Sequence, residues 1–176
     1  MAIVASLGGL DALSDVLGAL PASFPAAVVV MQHVESGRVS LLADILETRT
    51  ALRVRTAADG DALCPGTVYV APAGRHLSIR GGRTLALTDT PRVNFSRPSA
   101  DVLLDSLAGA GAPVVAVVLT GMGEDGAAGS VLVRESGGTV LAQDRETSIH
   151  FGMPGAAVRA YAVPGPRGAW PIPGGL

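Results

Sequence analysis

The chain has 176 residues, 48% of them apolar, and a formal net charge of −2, which is one domain's worth of sequence with side chains enough for a full core. No apolar run approaches the ~18 residues that span a bilayer, and the basic residues are scattered, so neither membrane insertion nor a nucleic-acid footprint is expected. A single Cys excludes an intrachain disulfide and a thiolate zinc site. No positive charge precedes the first apolar stretch, so a secretory signal is not expected and the cytoplasm is the default location.

Short β-branched runs alternate with longer Ala/Leu-rich stretches, the pattern of βαβ units around a parallel sheet. Met1 to Ala5 reads as a first strand. Gly8-Gly9 leads into a helix through Leu10, Leu13, Val16 and Leu17, whose spacing puts them on one face. Pro21 and Pro25 bracket its exit, and Ala26 to Met31 is a second strand. A helix is expected from Val39 to Arg49, then a strand from Leu52 to Thr56. The middle changes character: Thr67 to Ala71, Leu77 to Arg80 and Thr84 to Thr88 are short strands, and Gly81-Gly82 marks an antiparallel hairpin. Helix returns from Ser99, read as its cap, to Ala108. The apolar run Val114 to Leu119 suits a strand buried on both faces. A glycine-rich turn from Gly121 to Gly129 enters another helix, and Thr139 to Ala142 is a further strand. From Pro164 onward Pro and Gly are too frequent for regular structure. The expected fold is α/β: a three-layer, doubly wound, Rossmann-like and mostly parallel sheet with one hairpin, residues 1–163 forming the domain and 164–176 a tail.

In open parallel sheets ligands bind beyond the carboxyl ends of the strands. Strand one ends in Ala5-Ser6-Leu7-Gly8-Gly9, strand two in Met31-Gln32-His33, and the strand from Val114 in a loop carrying Asp125. A hydroxyl, an imidazole and a carboxylate therefore leave one edge of one sheet, as nucleophilic acyl transfer requires. Ser is a poor nucleophile until His takes its proton, and a carboxylate must hold the other ring nitrogen. Leu7 and Gly8, at the start of the helix after Ser6, and Met122 and Gly123 in the facing loop are the candidate substrate or oxyanion contacts. Taken singly each residue is ordinary: a Ser before a helix is usually a cap, and an Asp after Gly a turn residue. His76 is read in a turn entering a strand, and His150 and Arg97 as residues with structural uses.

One stretch admits a second reading. Gly121-Met122-Gly123-Glu124-Asp125-Gly126 fits the dinucleotide pattern G-x-G-x-x-G between a strand and a helix, with Asp144 placed as a ribose-binding acid. That reading leaves Ser6 and His33 unexplained.

Several motifs occur in a fixed order: Ala5-Ser6-Leu7-Gly8-Gly9, Gln32-His33, Val68-Tyr69-Val70-Ala71-Pro72, Arg97-Pro98-Ser99, Leu119-Thr120-Gly121-Met122-Gly123 with Asp125-Gly126-Ala127-Ala128-Gly129, and Phe151-Gly152-Met153-Pro154. Together they closely resemble the catalytic domain of the chemotaxis protein-glutamate methylesterase (CheB) family, over roughly residues 2–160. The resemblance implies hydrolysis of glutamyl methyl esters on signalling receptors, with release of methanol, and deamidation of receptor glutamines. It implies Ser6, His33 and Asp125 as the triad, no metal or organic cofactor, and a methylated receptor or other protein as substrate. It also places the Phe151–Pro154 loop near the site. Val4, Leu7 and Gly155 depart from the family's usual small or polar residues and Arg. Family members commonly carry an N-terminal receiver domain. This chain begins at strand one, so either a stand-alone relative, with a separate response-regulator partner, or a fragment is expected. A catalytically weakened docking role is a further expectation.

Overall fold

The computed structural model describes residues 1–34, 40–162 and 169–172. The chain runs β1 (Ala2–Ala5), α1 (Gly9–Gly18), β2 (Val28–Gln32), α2 (Leu42–Glu47), β3 (Arg53–Thr56), β4 (Thr67–Val70), β5 (His76–Arg80), β6 (Thr84–Thr88), α3 (Ala100–Ala108), β7 (Val115–Val118), α4 (Ala127–Glu135), β8 (Thr139–Gln143), α5 (Gly152–Ala162) and β9 (Ala169–Ile172). Seven strands form one sheet in the order β3-β4-β2-β1-β7-β8-β9, with every pairing parallel. β5 and β6 form a separate antiparallel ribbon turning at Gly81-Gly82.

The three layers follow from the two-residue period of a strand. In β1, Ala2 and Val4 face a core shared with Leu103, Leu104, Val133 and Met153 of α3, α4 and α5. Ile3 and Ala5 face the opposite core, with Leu13, Leu17, Leu42 and Leu46 of α1 and α2. All four β1 residues are buried, as the unbroken apolar run of a two-sided strand requires. β1 is also where the winding reverses: one half of the sheet runs outward through β2, the other through β7. That switch point is where an open α/β sheet leaves a crevice at its carboxyl edge.

β4 lies inside the parallel sheet, between β3 and β2, its four residues buried as a central strand requires. Three elements differ from the sequence reading. The second helix is shorter than the expected Val39–Arg49 span, and Val39 lies outside the described residues. Phe151-Gly152-Met153-Pro154 opens helix α5 rather than forming a loop. Pro154 sits in the first turn, where its missing N–H has no intrahelical acceptor to lose. Finally, residues 169–172 pair with β8, Trp170 opposite Leu141. Pro171 is tolerated because an edge strand needs donors on one side only.

Candidate active site

β1, β2 and β7 end side by side, and backbone bonds continue the ladder one step further. The Ser6 N–H donates to the Thr120 carbonyl at 3.0 Å and the His33 N–H to the Ala5 carbonyl at 3.1 Å. Ser6 therefore leaves the sheet between His33 on one side and the β7 loop on the other. The chain then turns sharply into α1. The turn needs Gly8 at φ 79°, a left-handed conformation costly for other residues. A Cβ on Gly121 would lie 2.7 Å from the Ser6 Cβ and would strike the Met153 sulfur. The absent side chain at Gly121 is what lets the β7 loop close against the serine. Gly121→Ala is expected to force the β7 loop away from Ser6 and to destabilise the fold by roughly 1–3 kcal/mol, the usual cost of overpacking, which urea unfolding measures.

Across the switch point, His33 Nε2 and Asp125 Oδ2 are 2.7 Å apart. An ionised carboxylate only accepts, so Nε2 must carry the proton, and Nδ1 is left as the basic nitrogen. The imidazole is thus held in one tautomer and one orientation. The Ser6 hydroxyl makes no hydrogen bond to His33 among the described residues, a looseness common in sites without substrate. Ser6, Leu7, Gly8, Gln32 and His33 line one depression of about 240 Å³. His33 also borders a second, of about 520 Å³, lined by Arg92, Phe95 and Arg97. The imidazole stands at the wall between them.

Asp125 is 4% exposed and accepts five hydrogen bonds. Besides His33, these come from the Ala100 N–H (2.7 Å), Ser99 Oγ (2.7 Å), Asn94 Nδ2 (3.0 Å) and the Asp101 N–H (3.1 Å). Ser99 is the N-cap residue of α3, but its hydroxyl does not cap its own helix. Asp125 takes that place from the neighbouring loop, accepting the helix's first N–H groups, while Ser99 turns its hydroxyl onto Asp125. The arrangement is reciprocal: Asp101 of α3 accepts the Gly126 and Gly129 N–H groups at the start of α4, at 3.0 and 2.8 Å. Burial pushes the Asp125 carboxyl up, but the bonds from His33, Asn94, Ser99 and Ala100 outweigh it and hold it at about 2. Asp101 moves the other way. Its burial raises it against the Gly129 bond, and the nearby Asp125 charge adds to the rise.

Leu7 and Gly8 reach the rim of the smaller depression, and their N–H groups have no acceptor among the described residues. The same holds for Met122 and Gly123, and the Met122 side chain is exposed. His76 is buried in β5, its Nε2 against the Pro91 carbonyl, so it is a core residue and not a turn residue at the site. Arg97 donates to the Asp89 and Thr90 carbonyls and shapes the loop beneath the larger depression. Both backbone groups of His150 bond into the β7 loop, its N–H to Thr120 Oγ1 and its carbonyl from the Gly121 N–H. Asp144 accepts from the Thr147 N–H and hydroxyl and organises its own turn. The loop 121–126 presents the Asp125 carboxylate to α3. The sequence reading missed Asn94, which bridges Asp101 and Asp125 from a left-handed backbone position (φ 50°). An Asn in a Pro-bounded loop is its only local signal.

The fold and these side chains define a three-layer α/β domain with an imidazole–carboxylate pair and a serine at the switch point of a parallel sheet. The chain belongs to the CheB methylesterase family, whose model matches residues 1–165. It is 45% identical over 159 residues to protein-glutamate methylesterase FrzG of Myxococcus xanthus, covering 90% of this chain and 48% of that protein. It is 41% identical over 162 residues to protein-glutamate methylesterase/protein-glutamine glutaminase 1 of Saccharophagus degradans, covering 91% and 44%. The chain spans about half the length of these curated relatives. The crystal structure of the Thermotoga maritima CheB methylesterase catalytic domain superposes with a TM-score of 0.85 at 39% identity, covering 90% of this chain and 86% of that one.

Proposed function

We propose that this protein is a serine hydrolase that cleaves methyl esters of protein glutamate side chains, with deamidation of glutamine as a second activity of the same site. The observation that carries the reading is the His33–Asp125 pair, fixed in one tautomer beside Ser6 at the switch point. The relatives' names, which give glutamate methylesterase and glutamine glutaminase, supply the substrate class. In this mechanism His33 Nδ1 takes the Ser6 hydroxyl proton as Oγ bonds to the ester carbonyl carbon. The carbonyl oxygen becomes an oxyanion facing the N–H groups of the Leu7–Gly8 and Met122–Gly123 backbone. When the tetrahedral intermediate collapses, the C–O bond breaks and methanol leaves with the proton held on His33. Water, deprotonated by the same nitrogen, then releases the glutamate and restores Ser6. With an amide substrate, ammonia leaves instead. Asp125 stays charged throughout and stabilises the imidazolium.

This reading places the protein in the cytoplasm, acting on a methylated receptor or other protein, with a response regulator as a regulatory partner. No helix among the described residues is long and apolar enough to cross a membrane. The test is methanol release from a glutamate-methylated protein together with turnover of a small methyl ester. Turnover of both that disappears in Ser6→Ala supports the proposal. Absence of turnover by the intact protein sinks it in favour of a docking role.

A further inference from the structure

Two of the candidate oxyanion donors share a construction. In a trans peptide the C=O and N–H point in opposite directions, so whatever fixes the carbonyl also aims the N–H. The Gly121 carbonyl, on the same peptide plane as the Met122 N–H, accepts the Met153 N–H at 2.8 Å. The Ser6 carbonyl, on the same plane as the Leu7 N–H, accepts the Gly9 N–H at 2.9 Å and a side-chain amide, Gln32 Nε2, at 3.3 Å.

Gln32 ends β2 in register with Ala5, one residue before His33. Its amide carbon lies 3.4 Å from where a Gly9 Cβ would stand, wedged against the first turn of α1. The other amide atom, Oε1, is buried with no partner among the described residues. A buried acceptor left unpaired is unfavourable, and turning the amide over would set Oε1 against the Ser6 carbonyl, which is worse. The contact with Ser6 therefore fixes the orientation of the amide, at the expense of its other end.

We propose that Gln32 is a positioning residue for ester hydrolysis: by holding the Ser6 carbonyl, its amide aims the Leu7 N–H at the point where charge develops on the substrate carbonyl oxygen. A hydrogen bond on the carbonyl also polarises the peptide and makes its N–H a better donor. The inference rests on the hydrolase reading above and adds a residue outside the triad. Because the interaction strengthens only as the oxyanion forms, its loss falls on kcat and leaves KM nearly unchanged.

The experiment uses the intact chain, p-nitrophenyl acetate as substrate and a boronic acid as tetrahedral analogue. Gln32→Leu is expected to lower kcat by roughly 10- to 100-fold, below the loss seen when an oxyanion donor is deleted outright, and to weaken boronate inhibition by a similar factor. Gln32→Glu keeps the shape. As a carboxylate it repels the Ser6 carbonyl, and once protonated it donates to it. Its rate relative to the unmodified protein at the same pH is therefore expected to recover as the pH falls. A side chain that merely fills space would give a ratio independent of pH. Gln32→Glu with unchanged kcat, or with a deficit that ignores pH, overturns the proposal even if Gln32→Leu fails to fold. Full turnover by Ser6→Ala would instead overturn the hydrolase reading. Inactive Ser6→Ala beside normal Gln32 variants removes only the role of Gln32.

Discussion

Replacing Ser6 by Ala lowers kcat on a methyl ester by on the order of 10³-fold or more, and His33→Ala does the same, because each removes one half of a single proton-transfer unit. Without Ser6 there is no atom to carry the acyl group. Without His33 the hydroxyl keeps its proton, and the leaving methoxide finds no acid. The double variant is expected to lose little beyond either single one, since the second change removes a partner that no longer has a task. What remains comes from the backbone N–H groups facing the ester and from binding alone. Stability distinguishes the two variants. The Ser6 hydroxyl has no bond in the described fold, so Ser6→Ala should move stability by no more than about 0.5 kcal/mol. His33→Ala strips one donor from buried Asp125 and should be measurably less stable in urea. Methanol release in single and double variants is the measurement. Losses that multiply would mean that the two residues do not act together.

The sequence made the candidate triad legible because Ser6 and His33 follow strand ends and Asp125 lies in the loop after a third strand, and strand ends can be read from where β-branched runs stop. Ala5-Ser6, Gln32-His33 and the loop after Leu119 then fall on one edge of the sheet by the parallel rule alone. The partners of those residues were not legible in the same way. That Asp125, not Ser99, caps α3 depends on how closely α4 approaches α3. That approach depends on Gly129, where a Cβ would stand 2.6 Å from the Leu104 Cβ. Nothing in the spacing of residues 99 to 129 announces the exchange, because each residue also fits its ordinary local role. β9 was missed for a related reason. Pro171 argues against a strand in isolation, and only the open edge of β8 makes one possible. Helix α5 was hidden by Gly152, Pro154 and Gly155, which a first turn accepts although a helix interior would not. Local pattern fixes what a segment can be, while its neighbours decide between permitted alternatives.

Asp125→Asn is expected to lower kcat by about 10⁴-fold, the scale found when a triad carboxylate becomes an amide and the imidazole adopts the wrong tautomer. The structure gives the reason at this site. Both carboxylate oxygens are occupied by donors: Oδ2 by His33 Nε2 and the Ala100 N–H, Oδ1 by Ser99, Asn94 and the Asp101 N–H. An Asn must turn its NH₂ toward one of these groups. If it faces Oδ2's partners, the Ala100 N–H loses its acceptor and His33 must present Nε2 as an acceptor, moving its proton to Nδ1, where Ser6 then meets no base. If it faces the other set, the Asp101 N–H and the Asn94 amide lose their acceptor, at roughly 1–3 kcal/mol each. Activity and stability therefore fall together in this variant, unlike Ser6→Ala. The pH dependence gives an independent reading. The folded Asp125 carboxyl titrates at about 2, below the ordinary value near 3.9 for an aspartate. Its charge thus contributes stability that is fully present above pH ~4 and is lost as the pH falls through about 2. Urea unfolding at a series of pH values should show that acid loss in the unmodified protein and a shallower one in Asp125→Asn. Parallel curves would mean that the carboxylate is not charged and bonded in the folded state as the His33 contact requires.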